Sequence, residues 1–150
     1  MIIVNYKFNK RARELFKSVD IDIKKLERFS SFILNEYKCT RKVWVYDLHV
    51  KGNDKHDGGS YYFGDSEMEI GTKIGRRSLK NKRKWFLGTY LHELCHFIQD
   101  NIDNVSGRKI AYSEKDVEEC NDNYYKNKLE IQAREFEDKY TKIYLELFHN

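Results

Sequence analysis

WFLGTYLHELCHFIQDNI, residues 85–102, is a long segment in which apolar residues recur at the spacing of an α-helix. On a helical wheel that turns about 100° per residue, its apolar side chains occupy one stripe, roughly 200° to 300° from His92. The stripe consists of Leu87, Leu91, Leu94, Cys95 and Ile98. The pattern predicts a helix over 85–102 whose apolar stripe faces the core of the protein.

Beside this stripe lies the sequence His92-Glu93-Leu94-Cys95-His96, which has the pattern HExxH. Two imidazoles four residues apart lie on the same face of a helix, so both can reach one metal ion. Glu93 is placed beside that ion, where it can take a proton from an activated water molecule. Chance alone produces the pattern in about 1 in 100 chains of this composition. A purely structural helix, however, has little reason to keep these three residues together next to its apolar stripe.

A catalytic zinc ion needs a third protein ligand and keeps one position for water. The extended HExxH pattern of metzincins is excluded because Ile102 stands where that pattern needs a ligand. Asp100 lies about 12 Å along the helix axis from His92, too far to share one ion. No further histidine follows before His149. The third ligand is therefore expected from a second long helix, which the periodicity predicts over 124–148.

This second helix has an apolar face with carboxylates at its margin. The face is predicted to contain Tyr125, Leu129, Ala133, Phe136, Tyr140 and Leu147. Glu130 projects about 100° from Leu129 and Glu137 about 80°, so either can reach a metal on a neighbouring helix. Small residues, Ala133 here and Gly88 one turn before His92, would let the two helices approach closely. Glu130 is the first choice for the third ligand and Glu137 the second, while an ordinary solvated carboxylate remains the alternative for both.

For the rest of the chain, the pattern of residues predicts short strands and one more helix. The sequence contains no internal repeat and no linker that would divide it into domains. Asp20 or Asp22 is available to cap that helix. The predicted elements are a strand at 2–8, a helix at 22–38, strands at 43–50, 61–63 and 67–74, and a basic connector at 75–84. This order indicates a single α+β domain, residues 1–150, in which 1–84 precede the HExxH helix.

Composition excludes several classes of protein. The chain has 40% hydrophobic residues and no apolar run of 18 residues, so neither disorder nor a membrane span is expected. The N-terminus lacks the pattern of a secretory signal. The three cysteines (Cys39, Cys95, Cys120) make a poor disulfide framework, which favours a cytoplasmic protein. The lack of proline and the abundance of Lys, Asn, Ile and Tyr are typical of AT-rich genomes such as those of phages and low-GC bacteria.

Two further features have a plain interpretation. The basic stretch 76–84 is expected to be a solvated loop rather than a nucleic-acid surface, because aromatic residues are not interleaved with its charges. The net charge of +4 does not argue for a nucleic-acid partner either. His49 and His56 are expected to be structural or solvent-exposed rather than metal ligands.

HELCH followed by Glu130-Ile-Gln-Ala133-Arg134-Glu-Phe136 resembles the gluzincin peptidases of the ImmA/IrrE and minigluzincin types, over residues 85–140. The resemblance implies a zincin-like fold with a short, mostly antiparallel sheet packed on helices. It also implies one catalytic zinc ion held by His92, His96 and Glu130, with Glu93 as the general base. Arg134 departs from the pattern, since related proteins have an acidic or amide residue there that positions a ligand.

The implied activity is hydrolysis of a peptide bond in a peptide or protein substrate. By analogy with zincins, strand 67–72 would be the edge that binds the substrate. The donor that completes the oxyanion site stays open among Tyr124, Tyr125 and Arg134. The alternative is a non-catalytic zincin-fold module that binds a protein or nucleic-acid partner. Glu93 favours catalysis, because a structural metal site needs no general base.

Overall fold

The computed structural model describes residues 1–36, 43–102, 114–118 and 127–149. Within these ranges the chain is a small α+β domain, as its sequence predicts. The elements follow in the order β1 (Ile2–Phe8), α1 (Lys10–Ser18), α2 (Ile23–Asn35), β2 (Trp44–Asn53), β3 (Gly59–Tyr62), β4 (Glu67–Gly71), α3 (Leu79–Asn101), α4 (Glu114–Glu118) and α5 (Lys128–Phe148).

The four strands form a mixed sheet in the order β1-β2-β4-β3. β1 pairs with β2 in parallel, β2 pairs with β4 in parallel, and β3 pairs with β4 antiparallel. The expectation of a mostly antiparallel sheet is therefore wrong. The two helices between β1 and β2 carry the chain back across the sheet, so that both strands run in the same direction. Alternating polarity cannot reveal this, because it is the same in parallel and antiparallel strands.

The outer strand on the side of the HExxH helix is β3, and β4 lies inside the sheet between β2 and β3. The expectation that 67–72 forms the edge is wrong for this reason. The chain reaches the edge first, in β3, and then turns back to insert β4 beside β2. Backbone bonds hold the loop before β3 against the end of β4, since the N–H of Gly71 donates to Gly58 O at 2.6 Å and that of Lys73 to His56 O at 3.1 Å.

The HExxH helix is longer than its apolar pattern predicts. α3 begins at Leu79, so the interpretation of 75–84 as a connector is wrong from that residue onward. Ser78 caps the helix by accepting a hydrogen bond from the N–H of Asn81 at 3.2 Å. The first turns of α3 are largely exposed and carry basic residues, so no hydrophobic periodicity marks them. The helix is identified there by its cap alone.

The boundaries of the other predicted elements agree with those in the structure to within a few residues. Strand β1 has the predicted bounds, and α2 begins after Asp22, which accepts from the N–H of Lys25 at 3.0 Å. α1 was not predicted, although Asn9 caps it by accepting a hydrogen bond from the N–H of Ala12 at 2.8 Å. The predicted ends at 37–38 and 124–126 lie outside the described residues.

The core forms where α3 packs against the sheet and against α5. Every residue of the predicted α3 stripe is buried, as is most of the predicted α5 face. Leu147 is an exception because its side chain is 63% exposed, while Tyr144, one turn earlier, is fully buried in its place. Tyr125 lies outside the described residues. In the described part of the chain, no helix has both the length and the apolar character needed to cross a bilayer.

A buried hydroxyl pair joins α3 to α2. The Oγ of Ser30 donates to Leu26 O at 2.7 Å, so the hydroxyl of Tyr90 donates to Ser30 Oγ at 2.8 Å. Tyr90 is fully buried and packs edge-on against Phe16, at 5.8 Å between ring centroids. This contact fixes the face of α3 opposite to the one that carries the histidines.

Tyr90→Phe is expected to lower the free energy of unfolding by about 1 kcal/mol, because Ser30 keeps its bond to Leu26. Ser30→Ala should cost more, about 1–3 kcal/mol, since it leaves the buried Tyr90 hydroxyl without this acceptor. Urea denaturation of both variants measures the difference. Equal losses in the two variants would contradict the assigned direction of the hydrogen bond.

Candidate metal centre

Three side chains from two helices meet at one buried point. His92 and His96 project from the same face of α3, and Glu130 approaches from the first turn of α5. The Nε2 atoms of the histidines lie 2.8 Å and 2.9 Å from the two carboxylate oxygens of Glu130. All three residues are buried, and one potential ligand atom from each lies within 4.8 Å of the others. This group could hold a metal ion.

The donor atoms fit a small divalent cation. An ion about 2 Å from each ligand needs ligand atoms roughly 3.3 Å apart. The observed nitrogen–oxygen separations of 2.8 Å and 2.9 Å are within about half an ångström of that value. The spacing of these side chains is thus close to what such an ion needs.

Glu130 reaches the histidines because α5 starts close to α3. The side chain of Asn127 caps α5 by accepting from Leu129 N at 2.9 Å, which places Glu130 in the first helical turn. A carboxylate there is stabilised by the helix dipole. Ala133, one turn further along, is fully buried and allows close packing against α3. The sequence-based first choice for the third ligand is thus the carboxylate that lies between the two histidines.

Glu137 lies on the other side of His92. Its Oε1 accepts from Nδ1 of His92 at 3.0 Å, so it approaches the ring nitrogen that points away from Glu130. A Cβ atom on Gly88 would lie 3.1 Å from Oε2 of Glu137, so the side chain of Glu137 packs closely over this glycine. Glu137 therefore orients His92 and is outside the group of three. A carboxylate on the distal nitrogen is the common partner of a metal-binding histidine.

His96 has a different partner, Gln99, which was not among the predicted site residues. Its Nδ1 donates to Oε1 of Gln99 at 2.7 Å. Gln99 is fully buried, one turn after His96 on the same helix. Its position three residues after His96 could have predicted this contact, because side chains at that spacing are neighbours on a helix.

Glu93 lies beside the histidines and under strand β3. It is 5% exposed, and a Cβ on Gly59 would come within 2.7 Å of its Oε1. Gly59 therefore lets the edge strand pass directly over this carboxylate. An open cleft of about 1250 Å³ runs along this region. Its walls include β3, the two histidines, Glu93, Glu130 and Arg134.

Burial and neighbouring charges shift the pKa values of two residues at this site in the absence of a metal ion. Burial raises the pKa of Glu93 to about 7, although the adjacent His96 and His92 act in the opposite direction. Burial would lower the pKa of His92, but its hydrogen bonds to Glu130 and Glu137 outweigh this and raise the pKa to about 10. Both partners can only accept, so without metal His92 donates from both ring nitrogens as an imidazolium.

The other predicted candidates lie away from this group or outside the described residues. Asp100 accepts from the hydroxyl of Tyr61 at 2.7 Å and from Gly64 N at 2.8 Å, so it ties the turn after β3 to α3. His49 lies on β2 and His56 in the loop before β3, and neither belongs to the group of three. Cys95 is buried on the core side of α3, as expected. Cys39, Cys120, Tyr124 and Tyr125 are outside the described residues.

Comparison with known proteins gives no match to any protein-family model, curated protein or solved structure. The interpretation of the site therefore depends on its own geometry and on the resemblance of its motifs.

The two shifted pKa values predict how the stability of the metal-free protein changes with pH. The folded-state pKa of His92 is raised from 6.5 to about 10, so its stabilising contribution is complete below pH 6.5 and is lost as the pH rises to 10. The folded-state pKa of Glu93 is raised from 4.5 to about 7, so ionisation of this buried carboxyl destabilises the fold across that range. Urea unfolding in the presence of a chelator should show stability falling with pH in both windows.

Glu93→Gln provides the matched control for the lower window. In this variant the free energy of unfolding should no longer fall between about pH 4.5 and 7, but it should still fall at higher pH. A metal-free protein whose stability does not change between about pH 6.5 and 9 would contradict the assigned charge state of His92.

Proposed function

We propose that the protein is a zinc-dependent peptidase of the gluzincin type, with His92, His96 and Glu130 as zinc ligands. The observation that supports this is the meeting of two Nε2 atoms and one carboxylate at a buried point that borders a cleft. Glu93, the central residue of the HExxH motif, lines the same cleft. A purely structural site would bring four protein ligands and no adjacent base.

Zinc is the proposed ion because of the donor set. Two imidazole nitrogens and one carboxylate are typical of catalytic zinc sites, whereas calcium and magnesium prefer oxygen ligands throughout. When bound, zinc supplies a Lewis acid that polarises the scissile carbonyl and makes an attacking water molecule acidic. The histidines are oriented for this task by Glu137 and Gln99, which contact their Nδ1 atoms and leave Nε2 of each ring facing Glu130.

Glu93 is the proposed general base. It would accept the proton of the attacking water and pass it to the departing amine of the substrate. Its low exposure and the strand that passes over it keep the carboxylate in one position beside the histidines. Arg134 lines the same cleft and is the proposed donor to the developing oxyanion, because its guanidinium brings N–H donors and a positive charge to that wall.

The proposed substrate is an extended peptide bound along β3. In the described structure β3 pairs with β4 on one side only, so its other edge has free backbone donors and acceptors. Gly59, Ser60 and Tyr62 are exposed on this strand and line the cleft. An added strand would lie about 4.8 Å from β3 and above Glu93, where its peptide bonds can reach the metal group.

The first test concerns the metal. The purified protein is expected to bind about one zinc ion, and His92→Ala, His96→Ala and Glu130→Ala should each abolish this binding because each removes one of three protein ligands. Glu137→Ala should weaken zinc binding by about 10- to 100-fold without abolishing it, since it removes only the partner of a ligand. Competition with a chromophoric chelator measures all four affinities.

Glu135→Ala is the matched control, because Glu135 is an exposed carboxylate on the same helix. It should bind zinc as the wild type does. Circular dichroism must show that each variant is folded before the affinities are compared. Zinc binding that survives Glu130→Ala but is abolished by Glu137→Ala would show that the ligand assignment is reversed.

The second test concerns catalysis. Glu93→Gln should retain zinc and the fold while peptide hydrolysis falls by about 100-fold or more, because the amide cannot accept a proton. A library of quenched fluorescent peptides, with products identified by mass spectrometry, measures the activity. If zinc-loaded wild-type protein cleaves no member of the library, or if the variant is fully active, the peptidase proposal or the role of Glu93 is wrong.

A further inference from the structure

Gln99 connects the two helices that carry the metal group. Its Oε1 accepts from Nδ1 of His96 at 2.7 Å, and its Nε2 donates to Leu129 O at 3.0 Å and to Oε1 of Gln132 at 2.8 Å. Nε2 also lies 3.8 Å from Sγ of Cys95. The side chain is fully buried, so these polar contacts replace hydration. One amide thus links a candidate ligand on α3 to the backbone of α5.

The contact with Leu129 determines which way the amide faces. A backbone carbonyl can only accept a hydrogen bond, so the NH₂ group of Gln99 must point towards Leu129. The opposite orientation would place two carbonyl oxygens against each other in a buried setting. Oε1 of Gln99 is therefore left facing His96, and it can only accept.

The tautomer of His96 follows from this orientation. Because Oε1 of Gln99 accepts, Nδ1 of His96 must carry a hydrogen. The neutral ring that binds a metal ion then carries its lone pair on the other nitrogen, Nε2, which lies 2.9 Å from Oε1 of Glu130. A metal ion needs this lone pair at this nitrogen.

The same amide also ties the position of His96 to that of Glu130. Leu129, whose carbonyl Gln99 binds, directly precedes Glu130 in the first turn of α5. A shift of α5 relative to α3 would therefore break this hydrogen bond as it moved the carboxylate. The two histidines differ in this respect, because His92 is oriented by the charged Glu137, whereas His96 is oriented by a neutral amide that is itself held by α5.

We propose that Gln99 is a positioning residue for the metal site, which fixes the tautomer and the orientation of His96. This inference rests on the proposed zinc binding but not on the proposed peptidase activity. Gln99 is not expected to touch either the ion or the substrate. Its effect should be visible in the affinity for zinc.

The test compares two substitutions that remove different halves of the amide. Gln99→Leu removes the acceptor for His96 and should weaken zinc binding by about 10- to 100-fold. Gln99→Glu keeps an acceptor for Nδ1 of His96 but loses the donor to Leu129. Its zinc affinity should stay within about threefold of the wild type, while the metal-free protein becomes less stable because a carboxylate faces a carbonyl.

Zinc affinity is measured by chelator competition at a temperature where each metal-free variant is folded, and stability by urea unfolding in chelator. Gln132→Leu is the matched control, because Gln132 accepts from Gln99, whereas the two ring nitrogens of His96 face Gln99 and Glu130. It should lower stability without changing zinc affinity by more than about threefold. If Gln99→Leu does not fold, Gln99→Met, which also lacks the acceptor but is unbranched and flexible, replaces it.

A role in packing alone would lower stability in both Gln99 variants and leave the zinc affinity unchanged. Unchanged zinc affinity in Gln99→Leu or Gln99→Met would therefore overturn this proposal while leaving the zinc site intact. Equal losses of affinity in the leucine and glutamate variants would also overturn it. A wild-type protein that binds no zinc would overturn both the metal site and the role of Gln99, whereas a lack of peptidase activity would leave both in place.

Discussion

The buried contact between Glu130 and the two histidines is the constraint on which the rest of the site depends. Removing a carboxylate from water costs several kcal/mol unless charges and hydrogen bonds offset the loss. Here both oxygens of Glu130 lie against imidazole nitrogens from the neighbouring helix. This contact requires α3 and α5 to pack closely, and the small residues Gly88 and Ala133 are compatible with that close packing.

Around these three side chains lies a second group of residues that orients the two histidines. Each histidine uses Nε2 towards Glu130 and Nδ1 towards a residue that fixes the ring, Glu137 for His92 and Gln99 for His96. Both orienting residues also belong to the contact between α3 and α5. The packing of the two helices and the geometry of the metal group are thus maintained in part by the same side chains.

The mixed sheet supplies the other wall of the cleft. The return of the chain from β3 into the interior strand β4 leaves β3 at the edge, where Gly59 lies against Glu93. A larger residue at that position would collide with the carboxylate proposed as the base. The loop before β3 is held by the end of β4, so the position of the edge strand over Glu93 is determined by backbone hydrogen bonds.

The sequence alone determined those features of the site that depend on residue spacing within a single helix. Residues four apart share a face in any α-helix, so the pairing of His92 with His96 and the burial of the stripe beside them followed directly from spacing. Tertiary structure decided whatever depends on the placement of one element against another. Glu130 and Glu137 lie at the same margin of α5, and only the position of that helix sends one to Nε2 and the other to Nδ1 of His92. Strand direction and the identity of the edge were decided in the same way, because periodicity shows which face of a strand is buried but not which strands become its neighbours.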